Sequence, residues 1–110
     1  MSESLKAGKS IRLNKIESSV DGLISQQISE VTISAARQYA DSVVLVSDEE
    51  IIETIHGLLD EDKILVELAG AASAAAILKQ RIDLPPNSKV VCLVSGGNLD
   101  LHRLIGFLQK

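Results

Sequence analysis

Apolar positions along the chain switch between two spacings, and the switches divide it into elements. Ser2 to Ala7 has the look of a helix tail stopped by Gly8, and Ile11-Arg12-Leu13 then reads as a short extended piece. Asp21-Gly22 marks a turn, after which Thr32 is expected to cap a short helix through Ala40 that turns Ile33, Ala36 and Ala40 inward. Val43-Val44-Leu45-Val46 is a continuous β-branched run, the pattern of a strand covered on both faces. At Ser47 the period changes. Its hydroxyl can accept from the amide three residues on while Glu50 reaches back, and Ile51, Ile52, Ile55, Leu58 and Leu59 make one helical stripe. Ile64-Leu65-Val66 is again extended. Ala69 to Leu78 is a helix so poor in bulk that another backbone must pass close to it. Val90 to Val94 reads as a second buried strand ending in Ser95-Gly96-Gly97-Asn98, and Leu101, Leu104, Ile105 and Leu108 supply the inner face of a last helix.

The order β-α-β-α-β-α predicts an α/β fold: a three-layer, mostly parallel sheet flanked by helices, with right-handed crossovers. Sites in such sheets lie at the carboxyl ends of strands. No repeat or linker interrupts residues 1–110, so a single domain is expected.

Composition narrows the function. With 45% hydrophobic and 24% charged residues and a net charge of −4, the chain is ordinary globular protein without a basic face for nucleic acid or anionic lipid. No run approaches the roughly 18 apolar residues of a membrane span, which predicts a cytoplasmic protein. Cys92, the one cysteine, is expected to be a small core residue.

Two places can hold chemistry. Ser95-Gly96-Gly97-Asn98 lies just past a buried strand and just before a helix, where free amides and the helix dipole favour a polar ligand. A plain tight turn with an asparagine cap explains the same four residues, because the lysine of a phosphate loop and the third glycine of a dinucleotide fingerprint are missing. Glu67 interrupts an apolar context before the alanine-rich helix; it either accepts from that helix's first amides or faces a ligand. His56 and His102 have no second ligand at metal spacing and are expected at the surface. Asp48, Glu49, Glu50 and Asp60, Glu61, Asp62 are expected to be solvated. No Ser-His-Asp or Cys-His arrangement can be drawn.

Several separated pieces together resemble the pyridoxal-phosphate-dependent threonine/serine dehydratase and serine racemase family, the group with the tryptophan synthase β-subunit fold. They are Glu3-Ser4-Leu5-Lys6-Ala7-Gly8, Val20-Asp21-Gly22-Leu23, Ser29-Glu30-Val31-Thr32, Val43 to Ile51, Val66 to Ala72 and Leu93 to Asp100. Their order and spacing are similar to the last third of that family, which places the chain in the large domain of a fold type II enzyme. The resemblance implies that Ser95 hydrogen-bonds the pyridine nitrogen of pyridoxal phosphate, in place of the anion site suggested above. A neutral hydroxyl does not hold that nitrogen protonated, so the ring is a weaker electron sink than in aminotransferases. By the same resemblance Gly96 and Gly97 give the ring room, Asn98 fixes the turn and Glu67 lies near the same ring edge.

The chain departs from the family where Leu68 replaces a proline and Ile33 an aromatic residue. The Schiff-base lysine motif and the glycine-rich phosphate loop belong to earlier parts of the family chain and match none of its lysines, so no catalytic residue is assigned. The resemblance implies the carboxy-terminal portion of an ammonia-lyase for a small hydroxy amino acid, inert alone, whose partner is a second copy or the missing amino-terminal portion. A non-catalytic interaction module that self-associates or pairs with a full-length dehydratase is the alternative. A small nucleotide-binding domain is a third reading, without its fingerprint.

Overall fold

A computed structural model describes residues 1–108 of the chain. Five helices and one short 3-10 turn carry all of the regular structure in that range. Helix α1 (Ser2–Ala7) ends as expected at Gly8, whose φ of 74° lets its amide reach the carbonyl of Leu5. The Asp21-Gly22 turn is a 3-10 turn, Asp21–Leu23. Helix α2 (Glu30–Tyr39) begins three residues earlier than the sequence suggests. Its cap is Ser29, whose hydroxyl accepts from the amide of Thr32 at 3.2 Å, so Thr32 belongs to the first turn and not to the cap. Of its three expected inward residues Ile33 is buried, Ala36 is half-buried and Ala40 is exposed.

Helix α3 (Asp48–Asp60) has the predicted capping box. The Ser47 hydroxyl accepts from the Glu50 amide at 3.3 Å, and Glu50 accepts from the Ser47 amide at 2.8 Å. The stripe then buries Ile51 and Ile55 completely, with Ile52 and Leu58 packed at their margin. Helix α4 (Leu68–Leu78) lies against it and is buried along Ala71, Ala74, Ala75 and Ala76. Small side chains bring the two helices close, and Val20, Val66, Leu68 and Leu104 close the core around them. Leu104, on helix α5 (Leu101–Leu108), is buried, whereas Leu101 and Ile105 are exposed; the inward position expected of the Leu108 side chain, like Gln109 and Lys110, lies outside the described residues.

The expected sheet is not formed among the described residues. Val43 to Val46, Ile64 to Val66 and Val90 to Val94 run without helix, turn or bend, but no ladder joins them. All three also carry exposed apolar side chains: Leu45 is 70% exposed, Leu65 48%, Val91 96% and Leu93 78%. A strand exists only with a neighbour to bond, and no backbone hydrogen bond joins one of these segments to another. Cys92 is accordingly half-buried at the margin and not in the core, its sulfur 3.7 Å from the carbonyl oxygen of Ser73.

The molecule is a slab of 40 × 37 × 20 Å with a radius of gyration of 15.1 Å, against about 13 Å for a self-contained domain of this length. No helix among the described residues is long and apolar enough to cross a membrane.

Candidate functional site

The turn after the third unpaired segment is held by two close approaches. The first is against α4. A Cβ on Gly70 would stand 1.6 Å from the carbonyl oxygen of Ser95, so the backbone of the turn occupies the space a side chain would fill. This is the close passage that the small residues of α4 predicted, and Gly70 is the residue that permits it. The second approach involves Glu67, the residue preceding α4. Its amide donates to the carbonyl of Gly96 at 3.3 Å, and its carboxylate lies where a Cβ on Gly96 would be, 2.4 Å from that point. Gly96 also has φ of 76°, which a residue with a side chain rarely adopts.

Ser95 is exposed, and its hydroxyl makes no hydrogen bond to any described residue. A Cβ on Gly97 would meet nothing within 4 Å, which leaves open space beside the turn. The amide of Leu99 donates back to the carbonyl of Gly97 at 2.9 Å, closing the turn before α5. The structure therefore brings Glu67, Ser95 and Gly96 together. Asn98 stands further along, on a cleft of about 620 Å³ that it shares with Glu67, Asp21, Ala69 and Asp100. Ser95 is not among the residues lining that cleft. The wall from Asp21 and Gly22 was not anticipated; the Asp21-Gly22 pair carries a turn signal, and only its packing against Ala69 makes it part of the cleft.

Other candidates separate from this site. The Glu67 carboxylate does not cap α4, so its expected structural role is not the one found. His56 and His102 are exposed, and no group of three metal-ligating side chains occurs among the described residues. The acidic run at α3 is not simply solvated, as expected. Asp48 accepts from the Ser18 hydroxyl at 2.7 Å and from the Ser19 amide, while Glu50 accepts from Arg81 Nε at 2.8 Å. The hydrogen bond from Arg81, with that from the Ser47 amide, holds the Glu50 carboxyl below the usual glutamate range. Asp60, Glu61 and Asp62 are exposed, as expected.

The chemistry available at the turn is narrow. Ser95 offers a hydroxyl without a partner among the described residues, beside the Glu67 carboxylate and with open space at Gly97.

The chain belongs to the family of pyridoxal-phosphate dependent enzymes, whose family model matches residues 1–96. Among its relatives, the biosynthetic L-threonine dehydratase of Halalkalibacterium halodurans is 39% identical over 106 residues, 94% of this chain and 25% of that protein. The L-threonine ammonia-lyase of Geobacter sulfurreducens is 40% identical over 108 residues, 97% of this chain and 26% of that one. The structure of maize serine racemase superposes with a TM-score of 0.82 at 33% identity, over 99% of this chain and 35% of that one. The chain thus spans about a quarter of the length of the curated relatives it matches.

Proposed function

We propose that this chain is the carboxy-terminal portion of a pyridoxal-phosphate-dependent threonine/serine dehydratase and supplies the pyridine-nitrogen side of the cofactor site. The residues at the turn fit that cofactor. The Ser95 hydroxyl donates to the ring nitrogen, the glycines at 96 and 97 leave the ring edge room, Glu67 stands beside the same edge, and Asn98 holds the turn that carries them. When bound, the cofactor supplies the electron sink for elimination and deamination of a hydroxy amino acid. The phosphate loop and the lysine come from the remainder of the family chain. In this reading the sheet of the large domain is completed only in the assembled enzyme, residues 1–110 form one unit within it, and the enzyme is cytoplasmic.

The observation that supports this reading most directly is the unpartnered Ser95 hydroxyl on a turn fixed by Gly70 and by the Glu67 amide. Its test is reconstitution. The chain is co-expressed with the H. halodurans relative from which the matching quarter has been deleted, and the pair is assayed for 2-oxobutyrate from threonine. The natural pair is expected to be active. Ser95→Ala is expected to weaken cofactor affinity by about tenfold, the loss of one hydrogen bond worth ~1.5 kcal/mol, and to shift the absorption of the bound cofactor. Unchanged affinity and absorption in that variant refute the assignment.

A further inference from the structure

Helix α4 is written largely in alanine, and a serine at its centre is a poorer helix former that ordinarily turns its hydroxyl back on the carbonyl four residues earlier. Ser73 does not do so. Its hydroxyl donates outward, to the carbonyl of Leu93 at 2.8 Å. Ser73 lies three residues beyond Gly70 and six beyond Glu67, so the three positions share one face of the helix. Along that face the segment before the turn runs in the opposite direction. The Glu67 amide holds the carbonyl of Gly96 at 3.3 Å, the missing side chain of Gly70 admits the carbonyl of Ser95, and Ser73 holds the carbonyl of Leu93. The lengths agree, since six helical residues advance about 9 Å and three extended ones span about 10 Å.

We infer that Ser73 is a positioning residue for Ser95: its hydroxyl fixes the slope at which the chain enters the turn, and with it the place where the Ser95 hydroxyl stands. The inference rests on the proposed function and adds to it a residue that does not itself touch the cofactor. The contacts at Ser95 and Gly96 sit at the far end of the segment and by themselves leave it a pivot. Val94 rests against the margin of the core, which limits the depth of the segment and not its direction. Leu93 supplies no packing anchor, because its side chain is 78% exposed, and among the described residues the backbone from Leu93 to Ser95 takes part in no other hydrogen bond. Ser73 is therefore the contact that stops the pivot. A swing of about 1 Å at the turn carries a donor out of the roughly 2.7–3.2 Å over which such a bond forms.

The test is a double-substitution cycle in the co-expressed pair described above, read as affinity for pyridoxal phosphate and as the absorption of the bound cofactor. Ser73→Ala is expected to weaken affinity by about three- to tenfold and to shift the absorption in the same direction as Ser95→Ala. Ser73→Thr, which keeps the hydroxyl, is expected to restore both. In a Ser95→Ala background the further loss on Ser73→Ala is expected to disappear, because no hydroxyl is left to place. Alanine is the better helix former at this position, so helix circular dichroism and the urea m value of the chain are expected to stay unchanged. The inference is overturned by equal losses in both backgrounds, by a Ser73→Ala pair that binds and absorbs like the natural one, by a Ser73→Thr pair that behaves like Ser73→Ala, or by loss of helix in Ser73→Ala. A pair that does not bind the cofactor, or a Ser95→Ala pair that keeps full affinity and absorption, sinks the proposed function and this inference together. A Ser95→Ala pair that loses them while Ser73→Ala does not sinks this inference alone.

Discussion

Two helical glycines in this chain should respond to the same substitution with opposite signs. An alanine in place of a helix-interior glycine ordinarily stabilises by ~0.5–1 kcal/mol, because it restricts the unfolded chain and suits the helix. Gly57, inside α3, has nothing within 4 Å of where a Cβ would stand, so Gly57→Ala should gain that full amount. Gly70, inside α4, has the Ser95 carbonyl oxygen 1.6 Å from the corresponding point and Val66 Cγ2 at 2.8 Å. Ordinary contact begins near 3.4 Å, so the backbone of the turn must retreat by about 1.8 Å, straining the Glu67 amide to Gly96 carbonyl hydrogen bond as it goes. Overpacking of this kind costs about 1–3 kcal/mol, and the weakened hydrogen bond adds ~1 kcal/mol. After the helix gain is subtracted, Gly70→Ala should destabilise by about 1–3 kcal/mol, so the two variants should differ by roughly 2–4 kcal/mol. Urea unfolding followed by helix circular dichroism measures both, with equal m values required for the comparison. If Gly70→Ala raises the midpoint as Gly57→Ala does, the turn does not press on α4, and the placement of Ser95 falls with it.

Two further outcomes follow from the packing and the ion pair at α3. Ile55, fully buried between α3 and α4, should cost about 2–5 kcal/mol on replacement by alanine; a loss below 1 kcal/mol would mean that the helices do not form the core. Glu50, its carboxyl lowered first by Arg81 and then by the Ser47 amide, binds a proton less readily folded than unfolded. Its contribution is therefore complete above the ordinary glutamate value of about 4.3 and is lost as pH falls through the lower folded value. Urea midpoints measured between about pH 6 and pH 3 should fall less steeply in Arg81→Gln than in the natural chain, and identical acid limbs would exclude the pairing.

What could be read from the residues, and what could not, divides by where each element finds its hydrogen-bond partners. Ser47 and Glu50 satisfy one another three residues apart, so the start of α3 was legible to the residue. Gly8 closes α1 with its own amide and was equally legible. At α2 the sequence reading put the cap at Thr32, whereas the Ser29 hydroxyl is the cap and takes the amide of Thr32. Glu67 was recognised as out of place among apolar residues, but its role depends on the Gly96 backbone 29 positions away, which no local spacing encodes. The three apolar runs mark the limit most clearly. Their β-branched composition is the signal of covered strands, and among the described residues they find no ladder. Val91, nearly fully exposed within a sequence written for burial, is the consequence. A helix carries its ladder within itself, so α3 and α4 form from local sequence; a strand borrows its ladder from neighbours distant in sequence, and Val43 to Val46, Ile64 to Val66 and Val90 to Val94 find none among the described residues.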